Sequence, residues 1–208
     1  MAYAVIGEAL YPQSAEKQEK LRNDLKDTLD YINNYYQEDI VSGFRLTREN
    51  EFQGMLSSGV HLLEILDIIQ FRFTSVSVRF GVGVDKTDGG QSALEAARKA
   101  LTRLSQANDY QVSKILLLSE EEAEWLDMVN ESLHLCDYIQ GRWKSLQSMI
   151  MEITILKTGY AEPPKQTELA EIFKTSKQNI NRAVRGMGYQ QYIRAKREIQ
   201  KLLQEKWG

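Results

Sequence analysis

Apolar positions along this chain change period several times, and each change marks a predicted element. Ala4-Val5-Ile6 opens as a short apolar run and predicts a buried strand. From Ser14 to Tyr36 the apolar residues Leu21, Leu25, Leu29, Ile32 and Tyr36 recur at helical spacing with charges between them, which predicts an amphipathic helix capped by Ser14. Asp39 to Thr47 alternates as a strand does, Arg48-Glu49-Asn50 is a polar turn, and Glu51 to Leu56 returns as a second strand, so a hairpin is expected. Ser57 or Ser58 then caps a helix bearing Val60, Leu63, Leu66 and Ile69. Alternation resumes at Val76–Val84, Asp88-Gly89-Gly90 marks a turn, Ser92–Leu104 is an Ala-rich helix and Val112–Leu118 a last apolar strand. The order strand, helix, strand, strand, helix, strand predicts an α+β, ferredoxin-like (split βαβ) sheet domain over residues 1–118, with its helices on one face.

Residues 119–158 read as a helical connector of one or two helices. Leu126, Val129, Leu133, Cys136, Ile139, Trp143, Leu146, Ile150 and Ile153 keep near-heptad spacing, interrupted at Gly141. Such a seam suits pairing of two subunits or packing within the chain, and a homodimer is the expectation. Pro163-Pro164 ends the connector, leaving residues 159–208 as an all-α domain.

That last segment carries the chemistry. Gln166 to Val184 fits a helix-turn-helix: Ala170 where two helices approach, Leu169, Phe173, Ile180 and Val184 at burying spacings, Thr175 in the turn and Ser176 as the cap of the second helix. Many such motifs carry glycine where this chain has Lys174. A recognition helix meets base edges with its first residues, here Ser176, Lys177, Gln178, Asn179 and Asn181, followed by Arg182 and Arg185. Gln and Asn pair with adenine, Lys and Arg with guanine. Arg194, Lys196, Arg197 and Lys201 on a final helix suit phosphate contacts, which position without specifying.

Composition changes this picture in one respect. The net charge of −3 argues weakly against nucleic acid, but residues 161–208 hold ten Lys and Arg against five Asp and Glu, while residues 1–160 hold 16 against 24. A basic tail on an acidic body is the asymmetry expected when only one end meets duplex DNA. A hydrophobic share of 42% with 26% charged residues belongs to a folded chain. No stretch approaches the roughly 20 apolar residues that span a bilayer, and MAYAVIGEAL lacks the basic start of a signal peptide. The single cysteine, Cys136, excludes an internal disulfide framework and predicts a reducing, cytoplasmic setting. With His61 and His134 far apart, a Cys/His zinc site is not expected, nor is any cofactor. Cys136 reads as a packed core thiol, His134 as a hydrogen-bonded histidine, and Gly81 and Gly83 as a bulge or bend. Neither a nucleophile elbow nor a phosphate-binding loop motif is present.

Several short motifs in fixed order resemble the SatD family: Ile6-Gly7-Glu8, Glu51-Phe52-Gln53-Gly54, Val78 to Gly83, Asp88-Gly89-Gly90 before Ala96 to Leu101, and the tail's Lys165 to Ala170 with Ser176 to Asn179. The resemblance implies a front domain similar to the nucleotide cyclase and GGDEF palm, where a first-strand acid and a hairpin acid hold a divalent metal over a nucleotide's phosphates. The family pattern has Asp at position 8 and Gly-Asp before Glu51; this chain has Glu8, Glu49 and Asn50. Asn50 supplies at best a neutral ligand, and Glu49 adds repulsion toward phosphate. Glu8 and Glu51 are thus candidates for a remnant nucleotide or metal site, with solvated surface carboxylates as the alternative. The expectation is a DNA-binding, transcription-regulator-like protein whose palm-like front is a non-catalytic sensor or scaffold, its small-molecule ligand unknown. Its rivals are a nucleotide- or metal-binding cyclase-like enzyme with an accessory DNA-targeting tail, and a protein–protein adaptor.

Overall fold

A computed structural model of the chain describes residues 2–10, 15–73, 76–85, 90–106, 113–119 and 124–208. Ser14, Asp88, Gly89 and Val112, which figured in the expected cap, turn and strand, lie outside the described residues. The front half runs β1 (Ala2–Ala9), α1 (Ala15–Tyr35), β2 (Ile40–Leu46), β3 (Glu51–Leu56), α2 (Leu62–Arg72), β4 (Val78–Asp85), α3 (Gln91–Gln106) and β5 (Ile115–Ser119). The rest is helical: α4 (Glu124–Gln140), α5 (Ser145–Thr158), α6 (Gln166–Ile172), α7 (Lys177–Gly186) and α8 (Tyr189–Trp207). No helix among the described residues is long and apolar enough to cross a membrane.

The five strands form one mixed sheet in the order β2-β3-β1-β4-β5. β1 is central and antiparallel to both β3 and β4, β2 is antiparallel to β3, and β5 joins β4 in parallel. Alternate residues of β1 face opposite sides. Tyr3 and Val5 join Phe52, Phe80 and Val82 in the large core under α1 and α2, whereas Ala4 and Ile6 meet Ala93, Ala97 and Leu101 of α3. Helices therefore cover both faces, not one. The reason lies in β4 and α3. A Cβ at Gly81 would stand 2.2 Å from the Ala97 carbonyl oxygen, and one at Gly83 would stand 1.9 Å from that of Ala93. These glycines, expected to bend the strand, instead admit the backbone of an Ala-rich helix against it.

Helix α2 departs from a one-faced pattern as well. Every residue from Leu62 to Phe71 is buried, because α1, β4, α5 and α8 pack around it. Its first turn is preceded by His61 without a side-chain cap; Ser58 instead accepts a hydrogen bond from the Val60 amide at 3.3 Å, so neither serine caps the helix. One continuous core runs from Tyr3 through α2, α4 and α5 to Trp207. The connector seam belongs to it: Leu126, Val129, Leu133, Cys136 and Ile150 are buried within their own chain. At the far end of α8 the Tyr3 hydroxyl donates to the Trp207 carbonyl at 3.1 Å, and Trp125 packs edge-on against Trp207 with ring centroids 4.6 Å apart.

Candidate nucleic-acid interface

The segment from α6 to α7 is shaped by its turn. After Phe173 the chain swings through Lys174 at φ 48°, a left-handed conformation that favours glycine. The Thr175 amide donates to the Ala170 carbonyl at 2.9 Å and the Lys174 amide to that of Glu171 at 3.2 Å. This hydrogen-bond pair closes a helix whose C-cap turn is left-handed. Two residues later Ser176, in extended conformation, accepts from the Asn179 amide at 3.2 Å and starts α7. Leu169, Ala170, Ile180 and Val184 are buried and Phe173 is half-buried, as their spacing predicts.

The outward side of α7 is polar. Ser176, Lys177, Gln178, Asn179, Asn181, Arg182 and Arg185 are all exposed. Gln178, Asn181, Arg182 and Arg185 line a shallow concavity of about 380 Å³. Asn179 stands apart from that set, since its amide nitrogen donates to the Thr175 hydroxyl at 3.1 Å and braces the turn. α7 is anchored from behind by the Gln147 amide donating to the Ala183 carbonyl at 3.1 Å and the Trp143 indole donating to the Met187 carbonyl at 2.8 Å.

The basic residues of α8 divide. Arg194 and Lys201 are exposed. Arg197 is half-buried, and its guanidinium donates to Glu198 and to the Ala161 carbonyl, both at 3.3 Å. Lys196, expected to reach phosphate, is fully buried: its ammonium lies 2.9 Å from Oδ1 of Asp67 on α2. The other Asp67 oxygen accepts from the hydroxyls of Tyr160 at 2.6 Å and Tyr192 at 2.8 Å. One unit of the tail's positive charge is thus neutralised inside the core. Sequence reasoning missed this cluster, although Asp67 interrupts the apolar run Leu62 to Phe71 and Lys196 occupies the apolar stripe of α8.

The candidate residues of the front domain do come together. Glu8 on β1 and Glu51 on β3 are register partners on the face toward α3. Glu51 is 6% exposed and not a solvated carboxylate. Arg98 of α3 donates through both terminal nitrogens to its two oxygens, one at 2.9 Å, and the Thr47 hydroxyl adds a third bond at 2.9 Å. Hydrogen bonding from Arg98 holds the Glu51 carboxyl below the usual range, against the opposing effect of burial. The Asn50 amide donates to the Ala9 carbonyl at 3.3 Å. Cys136 is a packed core thiol whose burial pushes its pKa up to about 11. His134 differs from expectation: Nε2 is buried with no hydrogen-bond partner among the described residues, and Nδ1 stands 4.0 Å from Glu131.

Geometry thus defines a mixed α/β protein: a five-stranded sheet covered on both faces, continued by helices that present an exposed polar and basic helix, α7. The chain belongs to the SatD family, whose family model matches residues 2–203. No curated protein and no solved structure matches it.

Proposed function

We propose that α6 and α7 form a helix-turn-helix that binds duplex DNA, and that the chain is a DNA-binding, transcription-regulator-like protein. The observation that carries this reading is the exposed set Gln178, Asn181, Arg182 and Arg185 around one concavity of α7, beside a capped and sharply turned helix start. A solvated surface helix needs no such concentration of amides and guanidinium groups. Together they match the donors and acceptors of purine edges in a major groove. Arg194 and Lys201 supply phosphate contacts from α8, and Asn179 stiffens the turn.

In the same reading the strand order β2-β3-β1-β4 is a split βαβ, ferredoxin-like sheet of the palm type, extended by β5. It serves as a non-catalytic scaffold. Its acids do not fit a divalent metal: both Glu51 oxygens are engaged by the Arg98 guanidinium, and the Asn50 amide is turned to the Ala9 carbonyl. A metal would have to displace a cation already bound at two points. The arrangement favours a hydrogen-bonded ion pair joining α3 to the sheet.

Fluorescence anisotropy of the full chain on random duplex DNA at two salt concentrations tests the proposal. Binding that weakens steeply with salt supports it, because each neutralised phosphate adds about 0.9 to the slope of log K against log salt. Absence of binding at low salt rejects it and leaves the adaptor reading.

A further inference from the structure

Helix α4 has two stripes. The inner one, with Leu126, Val129, Leu133 and Cys136, is buried in the chain's own core. The outer one runs Glu124, Met128, Glu131, Leu135, Tyr138 and, just past the helix, Arg142, at intervals of four, three, four, three and four residues. All six are exposed, with Met128 at 63% and Leu135 at 67%. Alternating intervals of four and three are the spacing with which two helices pack along a seam. A solvated face gains nothing from placing Met, Leu and Tyr there.

The stripe is also complementary to its own reverse. Run antiparallel to itself about the point midway between Glu131 and Leu135, it sets Glu124 opposite Arg142, Met128 opposite Tyr138 and Glu131 opposite Leu135, and repeats each pair on the other side. We propose that the outer stripe of α4 is the surface through which two copies of this chain associate, with the two α4 helices antiparallel around a two-fold axis that crosses the stripe between Glu131 and Leu135. Charge selects this occupant and this direction. Parallel pairing would oppose Glu124 to Glu124 and Arg142 to Arg142, whereas the antiparallel pair closes both ends with opposite charges. Arg142 is already ordered for that role, its guanidinium lying 3.5 Å over the Tyr138 ring. A shallow groove of about 230 Å³ between α4 and α8, lined by Met128, Val129, Ala195 and Leu202, gives room for Tyr138 of the second copy. Glu131 sits beside His134 on the helix, its Oε2 4.0 Å from the His134 Nδ1.

This pairing bears on the DNA reading, because it would carry two α7 helices, but its test contains no DNA and stands or falls separately. Sedimentation velocity of the full chain across a wide concentration range is expected to show a monomer–dimer equilibrium. Glu124→Arg and Arg142→Glu, each made alone, should weaken the dimer about tenfold, since every reversal acts twice across the axis. The double reversal should restore it. Leu135→Glu should leave a monomer with unchanged circular dichroism; if that variant fails to fold, the exposed charge reversals still decide. A chain that stays monomeric at every concentration overturns the proposal and leaves the stripe to a different protein. A dimer indifferent to the reversals and to Leu135→Glu overturns it too, because another surface then holds the copies together.

Discussion

The ammonium of Lys196 and the carboxylate of Asp67 meet at 2.9 Å with both side chains shielded from water, 129 residues apart in sequence. Burial works against the charge on Lys196, yet Asp67, with lesser help from Asp137, holds its pKa above the ordinary lysine value. Two tyrosine hydroxyls satisfy the remaining Asp67 oxygen. The pair joins α2, in the sheet half of the molecule, to α8, in the tail.

Removing one partner strands the other. Lys196→Met should destabilise the fold by about 3–5 kcal/mol, because an unpaired buried carboxylate remains. Adding Asp67→Asn should recover a large part of that loss. Urea denaturation of both variants checks this, and a loss below about 1 kcal/mol for the single change would place the pair in water, as exposed pairs behave.

Lys174 is held in a left-handed turn that glycine adopts without strain. Lys174→Gly should stabilise the protein by about 0.5–1 kcal/mol while leaving the exposed side of α7 intact. A rise in thermal midpoint is the expected sign; a fall would mean that the lysine side chain makes a contact worth more than the strain.

Asp137 is buried and its pKa is pushed up to about 6 by desolvation, partly offset by Lys196 and by the Lys114 backbone amide. A carboxyl with a raised folded pKa binds its proton more tightly in the folded state. Stability therefore falls as pH rises from about 4 to about 6, and the loss persists above that window. Asp137→Asn keeps an acceptor for the amides of Lys114 and Ile115 but cannot ionise. Relative to the parent it should gain about 2–3 kcal/mol between pH 4 and pH 8. Parallel stability curves for the two proteins would contradict the raised pKa.

On DNA, Arg182→Ala and Gln178→Ala should relax preference at single base pairs by about 1–3 kcal/mol each. Arg194→Ala should weaken binding to all sequences and lower the salt slope by about one. Asn179→Ala is expected to act mainly on stability, since its amide braces Thr175. Competition binding with single-base variants of a selected site separates these effects; equal losses for all four would defeat the assignment.

Much of the fold was legible because period and polarity agreed. The hairpin from Ile40 to Leu56, helix α3 and the helix start at Ser176 fall where spacing, a polar turn and a capping serine predict them. What stayed hidden depends on neighbours distant in sequence. The alternation of β4 does not say that Gly81 and Gly83 lie under the backbone of α3. The connector seam reads alike whether its partner is another subunit or α8 of the same chain. Lys196 looks like any basic residue on a helix until Asp67 is found opposite, and Glu51 looks solvated until Arg98 reaches across from α3. In each case a local rule was right about the element and silent about what covers it.

The contact between Tyr3 and Trp207 spans 204 residues. β1 is the middle strand of the sheet and α8 follows every other described element in sequence, so β1 stays partly uncovered until α8 is made. Contacts of such long range slow folding, because the loop between them must be closed before it is rewarded. A ribosome-bound chain lacking α8 would expose Tyr3 and the apolar flank of α2, a surface that invites aggregation or a chaperone. Stopping synthesis short of Trp207 should therefore harm the sheet as much as the tail.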